Sequence, residues 1–192
     1  VNLYDPDPTA PHKLDEIIGN AKLAFGKFID GPVPPQGKLH FTNSIASAVA
    51  NADLIIEAVP ERLDIKQSVY RDIESNAAVD TLIASATSGS LPSELLDKLA
   101  APDRLVVAHP FNPVYLLPLV EIVGGAKTSR ETIENASHLF CHLGMHPLHV
   151  RTEIPAFIAD RFLEAVWREA LWLVNDGVAT TSDTCKQRAC HC

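Results

Sequence analysis

The feature that most constrains this chain is a set of apolar stretches: Asp53-Leu54-Ile55-Ile56-Glu57-Ala58-Val59, Thr81-Leu82-Ile83-Ala84-Ser85-Ala86 and Arg104-Leu105-Val106-Val107-Ala108. Each is short, rich in branched side chains and without the polar alternation of a strand that has one wet face. Between them lie helical patterns. Leu63, Ile65, Val69, Tyr70 and Ile73 mark one face after Pro60-Glu61, and a second helix runs from about Pro92 to Ala100 with Ser90 as its cap. Buried strands alternating with helices at these lengths imply a parallel sheet with covered faces.

The flanks extend the pattern. Val1 to Asp5 reads as a strand ending in an acid, and His12 to Phe28 as a helix lying on a sheet. Asp30 to Gly37, with its prolines, is a loop; Lys38 to Thr42 is a short strand, and Ser44 caps a short helix. After Gly124-Gly125 a helix runs from Ser129 to Leu143 and stops at Gly144, followed by a strand from His146 to Arg151. The longest helical pattern spans Ala156 to Asp176, with Gly177 as C-cap. It is apolar nearly all round, so it wants a partner, as the first helix of an all-α domain would. The expected organisation is an α/β unit at 1–152, the start of a helical domain at 153–183, and an unrelated or disordered tail at 184–192.

With 192 residues, 46% hydrophobic and 21% charged, the chain can bury one proper core. No apolar run approaches the roughly 20 residues of a membrane span, and no basic-then-apolar leader opens the sequence, so a soluble cytoplasmic protein is expected. A formal charge of -8 disfavours nucleic acid and anionic membranes as partners and suits a cationic substrate. Cys185, Cys190, His191 and Cys192 crowd the end at spacings poor for zinc, so no metal is expected.

Chemistry concentrates around Ala108-His109-Pro110-Phe111-Asn112-Pro113. An imidazole at the carboxyl end of a buried strand stands where open α/β sheets place ligands. The next strand, Leu119 to Val123, carries Glu121. His109 and Glu121 read either as an acid/base dyad, the carboxylate fixing the tautomer, or as a structural His beside a surface Glu. Asp5 fits the acid that hydrogen-bonds an adenosine ribose, or a turn residue in Asp5-Pro6-Asp7-Pro8. No GxGxxG turn occurs in the sequence.

The strand ending in Asp5, Ile56 to Glu61 with Lys66, Ala86-Thr87-Ser88-Gly89, His109 to Pro113 with Glu121, and Pro155 to Arg161 occur in the order of the 3-hydroxyacyl-CoA dehydrogenase superfamily, which the chain resembles from Val1 to about Asp183. Within it, His109 to Glu121 and Trp167 to Thr181 are most similar to the carnitine-oxidising branch, and next to the lambda-crystallin and gulonate dehydrogenase type.

The resemblance implies a Rossmann-type sheet, here without its first strand and glycine-rich turn, and an NAD-dependent oxidation of a small 3-hydroxy acid. It implies His109 as base, Glu121 as its partner and Ser88 on the substrate oxygen. It implies Asp5, Ala58, Glu61, Lys66 and Ser88 at the cofactor, NAD rather than NADP because Asp5 repels a 2'-phosphate. Phe111, Asn112, Tyr115 and Trp167 are expected at the substrate pocket, with aromatic faces suited to a trimethylammonium.

Asp160 stands where the family usually has Asn. Three readings stay open for it: a protonated donor to the alkoxide, an ionised group facing a substrate cation, or a helix N-terminal acid favoured by the dipole. A homodimer is expected of the full-length form. The chain is expected to hold only the middle of the working design and to be inactive alone. A retired enzyme kept as structural mass is the rival reading, and an intact His109, Glu121 and Ser88 weigh against it.

Overall fold

The computed structural model describes residues 1–29, 31 and 35–189, the last four as backbone alone. Part of the proline-rich loop and the terminal Cys190, His191 and Cys192 lie outside the described residues. The chain separates into two compact units, Val1–Pro155 and Ala156–Cys192.

In the first unit β1 (Asn2–Leu3) leads into α1 (Ala10–Phe28), β2 (His40–Phe41) and α2 (Ile45–Val49). β1 and β2 pair in parallel as a small sheet of their own. The main sheet holds β3 (Leu54–Glu57), β4 (Leu82–Ser85), β5 (Leu105–Pro110), β6 (Leu119–Val123) and β7 (His146–Val150), in that spatial order. Between these strands run α3 (Leu63–Glu74), α4 (Pro92–Leu96) and α5 (Arg130–His142).

The Rossmann-type α/β architecture is therefore present, with one departure from an all-parallel sheet. β5 and β6 pair antiparallel, whereas β3, β4 and β5 are mutually parallel, as are β6 and β7. The reason is the connection. Phe111 to Pro118 is too short for a crossover, which needs a dozen or more residues, so the chain returns as a hairpin.

Alternation along the strands divides the core. Leu82, Ala84, Val106, Ala108, Val120 and Ile122 face α5, whose Ala136 and Phe140 close that side. The opposite residues, including Ile83, Leu105 and Val107, are equally buried. α3 packs on this second face through Tyr70, which donates to Glu57 on β3, the carboxylate that also takes the Ser85 hydroxyl of β4. Ser44 caps α2 as expected, and Ser129, expected as the first helical residue, caps α5, each accepting from the amide three residues on. Gly125 permits a close approach: a Cβ there would lie 2.8 Å from the Ser93 amide nitrogen.

Several local expectations are corrected. α4 ends at Leu96, and Ser90 is not its cap; the Glu94 carboxylate takes the Leu91 amide instead, while the Ser90 amide turns to Glu61 and Thr87. The long helix α6 (Ala159–Asn175) starts three residues later than its pattern, because Ala156 and Phe157 adopt left-handed φ of 63° and 46°. That turn buries the Phe157 side chain.

No residue of α6 is buried; Phe162, Trp167 and Trp172 are more than half exposed. The tail expected from 184 is helical through 189: α7 (Thr181–Ala189) is nucleated by Thr180 and Asp183, which cap each other's amides. Among the described residues no helix is long and apolar enough to cross a membrane, and no three metal-ligating side chains gather.

Candidate active site

The antiparallel register sets His109 directly opposite Glu121. Cross-strand partners present their side chains on the same face, so residues twelve apart in sequence meet without further adjustment. His109 Nδ1 lies 2.9 Å from Glu121 Oε2, with the imidazole 6% and the carboxylate 0% exposed. A neutral imidazole in this arrangement donates from Nδ1, which settles the tautomer in favour of basic Nε2. Of the two readings of this pair, the surface Glu is excluded by its burial. The Phe111 ring sits 5.5 Å from the His109 ring, tilted by 52°. Phe111 and Tyr115 are half-buried and Asn112 is exposed on the connecting loop.

β3, β4 and β5 run the same way, so their carboxyl ends share one edge of the sheet. Ala58 follows β3 and Thr87-Ser88-Gly89 follows β4; Ala58 and Ser88 are exposed there, as a cofactor-facing surface requires. Asp5 follows β1 and is exposed, and its Oδ1 accepts the Asp7 amide at 2.8 Å, so it also closes the turn that its neighbours suggest.

Glu61 spans the two strand-end loops. Its Oε1 accepts the Gly89 amide at 2.8 Å, the Ser90 amide at 3.2 Å and the Thr87 hydroxyl. Burial pulls this carboxyl upward, but hydrogen bonds from Thr87 and Gly89 and the charge of Lys66 prevail and hold it below the usual range. Lys66 lies beneath the surface rather than on it, 1% exposed. Its ammonium meets Glu57 Oε1 at 2.9 Å, Glu61 Oε2 at 3.3 Å and the Val59 carbonyl at 3.3 Å, which uses all three N–H donors. Its ammonium is therefore not presented at the surface.

Sequence reasoning quoted Glu57 without giving it a role. It is buried, and receives hydrogen bonds from Tyr70 at 2.5 Å, Ser85 at 2.7 Å, Lys66, and the Val59 amide at 2.8 Å. Burial, then the adjacent Glu57 carboxylate, push the Tyr70 phenol well above its ordinary value, so it stays a donor. The available signal was a carboxylate inside Leu-Ile-Ile-Glu-Ala-Val, since a buried acid must collect donors.

Asp160 and Trp167 belong to the second unit. With Leu163 and Glu164 they line one depression on α6, as spacings of three, four and seven dictate on a helix. The residues singled out from the sequence therefore form a buried pair on β5 and β6, an exposed strand-end surface around Glu61 and Ser88, and an acidic-aromatic depression on α6.

Comparison with known proteins bears on the family and the fold. Residues 1–154 match the family model "3-hydroxyacyl-CoA dehydrogenase, NAD binding domain". The chain is 49% identical over 184 residues to an L-carnitine dehydrogenase of Mesorhizobium japonicum, covering 95% of this chain and 50% of that protein. It is 52% identical over 180 residues to the one of Pseudomonas aeruginosa, covering 94% and 56%.

Among solved structures, an NAD+-dependent 5-formyl-3-hydroxy-2-methylpyridine 4-carboxylic acid 5-dehydrogenase superposes with a TM-score of 0.85 at 35% identity, covering 96% of this chain and 60% of that one. The 3-hydroxybutyryl-CoA dehydrogenase of Escherichia coli does so with 0.81 at 27%, covering 93% and 38%. The chain spans about half the length of the curated relatives it matches. With its first 154 residues matched throughout by the model and its sheet superposing on these enzymes, the chain belongs to the 3-hydroxyacyl-CoA dehydrogenase family.

Proposed function

We propose that the protein to which this chain belongs oxidises the 3-hydroxyl of a small hydroxy acid with NAD, and that the acid is L-carnitine, giving 3-dehydrocarnitine. The observation that carries the reading is the buried His109–Glu121 pair at 2.9 Å. Oxidising a secondary alcohol requires a base on the hydroxyl proton while hydride departs. His109 takes that proton at Nε2. Glu121 then faces an imidazolium, and its fixed carboxylate stabilises the cation with no reorganisation. Ser88 donates to the substrate oxygen from the end of β4.

NAD, when bound, supplies the hydride acceptor. Ala58 and Ser88 offer it an exposed surface, Glu61 shapes the loops beneath it, and Asp5 meets the ribose and repels a 2'-phosphate. Taken by itself, the depression on α6 holds Asp160, Glu164 and the Trp167 ring, the charge and aromatic face that a trimethylammonium takes, which supports the cation-facing reading of Asp160. Phe111, Asn112 and Tyr115 lie on the loop that follows His109, with the Phe111 ring against the imidazole. A homodimer in the cytoplasm completes the reading; the exposed apolar residues of α6 support a helical face that is covered in the assembled protein.

The test is NADH formation from L-carnitine, with 3-hydroxybutyryl-CoA and L-gulonate as competitors for the assignment. Turnover of L-carnitine with kcat/KM at least a hundredfold above both is expected. Preference for either competitor overturns the substrate, and NADH from none of the three overturns the enzyme.

A further inference from the structure

A buried carboxylate–ammonium pair is a poor source of net stability, since desolvation of both ions offsets their attraction. Glu57 and Lys66 are nonetheless 3% and 1% exposed, on β3 and α3. A filler needs only volume, whereas this cluster has direction. Tyr70 and Ser85 fix one Glu57 oxygen; the other takes Lys66 and the Val59 amide. Lys66 passes the contact upward to Glu61 at 3.3 Å, and Glu61 gathers Thr87, Gly89 and Ser90. The line runs unbroken from the core of the sheet to both sides of Ser88.

We propose that Glu57 is a positioning residue: through Lys66 and Glu61 it straps the Thr87–Ser90 loop to β3 and thereby sets the placement of Ser88 and of the surface offered to the cofactor. Glu57 touches neither substrate nor cofactor. Its Val59 and Lys66 contacts fix the turn that carries Ala58, and its Ser85 contact ties β4 to β3 one turn of chain below Ser88. Without the Glu57–Lys66 pair, Glu61 loses its anchor to β3 and its hold on the Gly89 and Ser90 amides loosens.

The decisive variant is Glu57→Gln with Lys66→Met, which removes both charges together and leaves none buried and unpaired. Hydrogen exchange is measured at the Gly89 and Ser90 amides, beside the thermal midpoint. Exchange at both is expected to rise at least tenfold with the midpoint within a few degrees of the parent. Parent-like exchange overturns the strap. Should that variant fail to fold, Glu61→Gln cuts the same line at its 45% exposed end, and the same rise or its absence decides.

In turnover the double variant is expected to raise the KM for NAD about fivefold and lower kcat about tenfold with an unchanged pH profile. A loss of active protein alone, with both KM values intact, counts against positioning. This arm alone rests on the dehydrogenase reading: if the parent protein forms no NADH, that reading fails while the exchange measurement still decides the strap.

Discussion

Replacing Glu121 by Gln removes one charge from the His109 pair while keeping the shape of the side chain. The site is dry, with Glu121 fully buried and His109 nearly so. Taking about 4 Å between charge centres and an effective dielectric near 20, an imidazolium at His109 is held by about 4 kcal/mol. A Gln keeps a neutral hydrogen bond of about 1 kcal/mol. The difference, roughly 2–3 kcal/mol, is felt only when the ring is cationic, which on this mechanism happens as the hydroxyl proton leaves. At 1.36 kcal/mol per factor of ten, kcat falls about 30- to 150-fold.

KM for the hydroxy acid should hardly change, since the ground state keeps its neutral ring. The assay is NADH absorbance under saturating NAD, run on the single variant, on His109→Gln and on the double. In the His109→Gln background the Glu121 change should cost almost nothing, because no cation remains to stabilise. A fall of less than threefold in the single variant, or a cost that persists undiminished without His109, refutes the reasoning.

Three further outcomes follow from other parts of the chain. Ala156 holds a left-handed φ of 63°, so Ala156→Gly relieves about 1 kcal/mol and raises the melting temperature by roughly 2–4 °C in calorimetry. Glu61 titrates below its ordinary 4.5, so its contribution to stability is complete above that pH and is lost as pH falls through the lower folded value; exchange at Gly89 and Ser90 should therefore stay flat from pH 7 to 5, after correction for intrinsic rates, and climb in stronger acid. Trp167→Leu with Asp160→Asn should raise KM for L-carnitine about tenfold and leave that for 3-hydroxybutyrate, which lacks the trimethylammonium, within twofold, as steady-state kinetics would show.

Some of this protein is determined by the sequence alone. Strand and helix follow from the period of apolar residues, which is a local property: β3 and β4 fall inside their apolar stretches, β5 begins in its own and runs on through His109 and Pro110, and Ser44, Ser129 and Gly144 act where their capping chemistry places them. Even the Thr180-x-x-Asp183 box, overlooked beside the cysteine-rich end, was a local signal.

Register and burial are different in kind, because they depend on which segments meet. The sequence offered His109 and Glu121 as neighbours or strangers, and only the antiparallel return of β6 placed them 2.9 Å apart. Lys66 shares its helix face with Tyr70 and Ile73, four and seven residues on, but only the packing of α3 on the sheet set its charge against Glu57 at 1% exposure. A chain's period says which way a side chain points; what it then encounters is decided by the pairing of strands and the packing of α3, which no local pattern encodes.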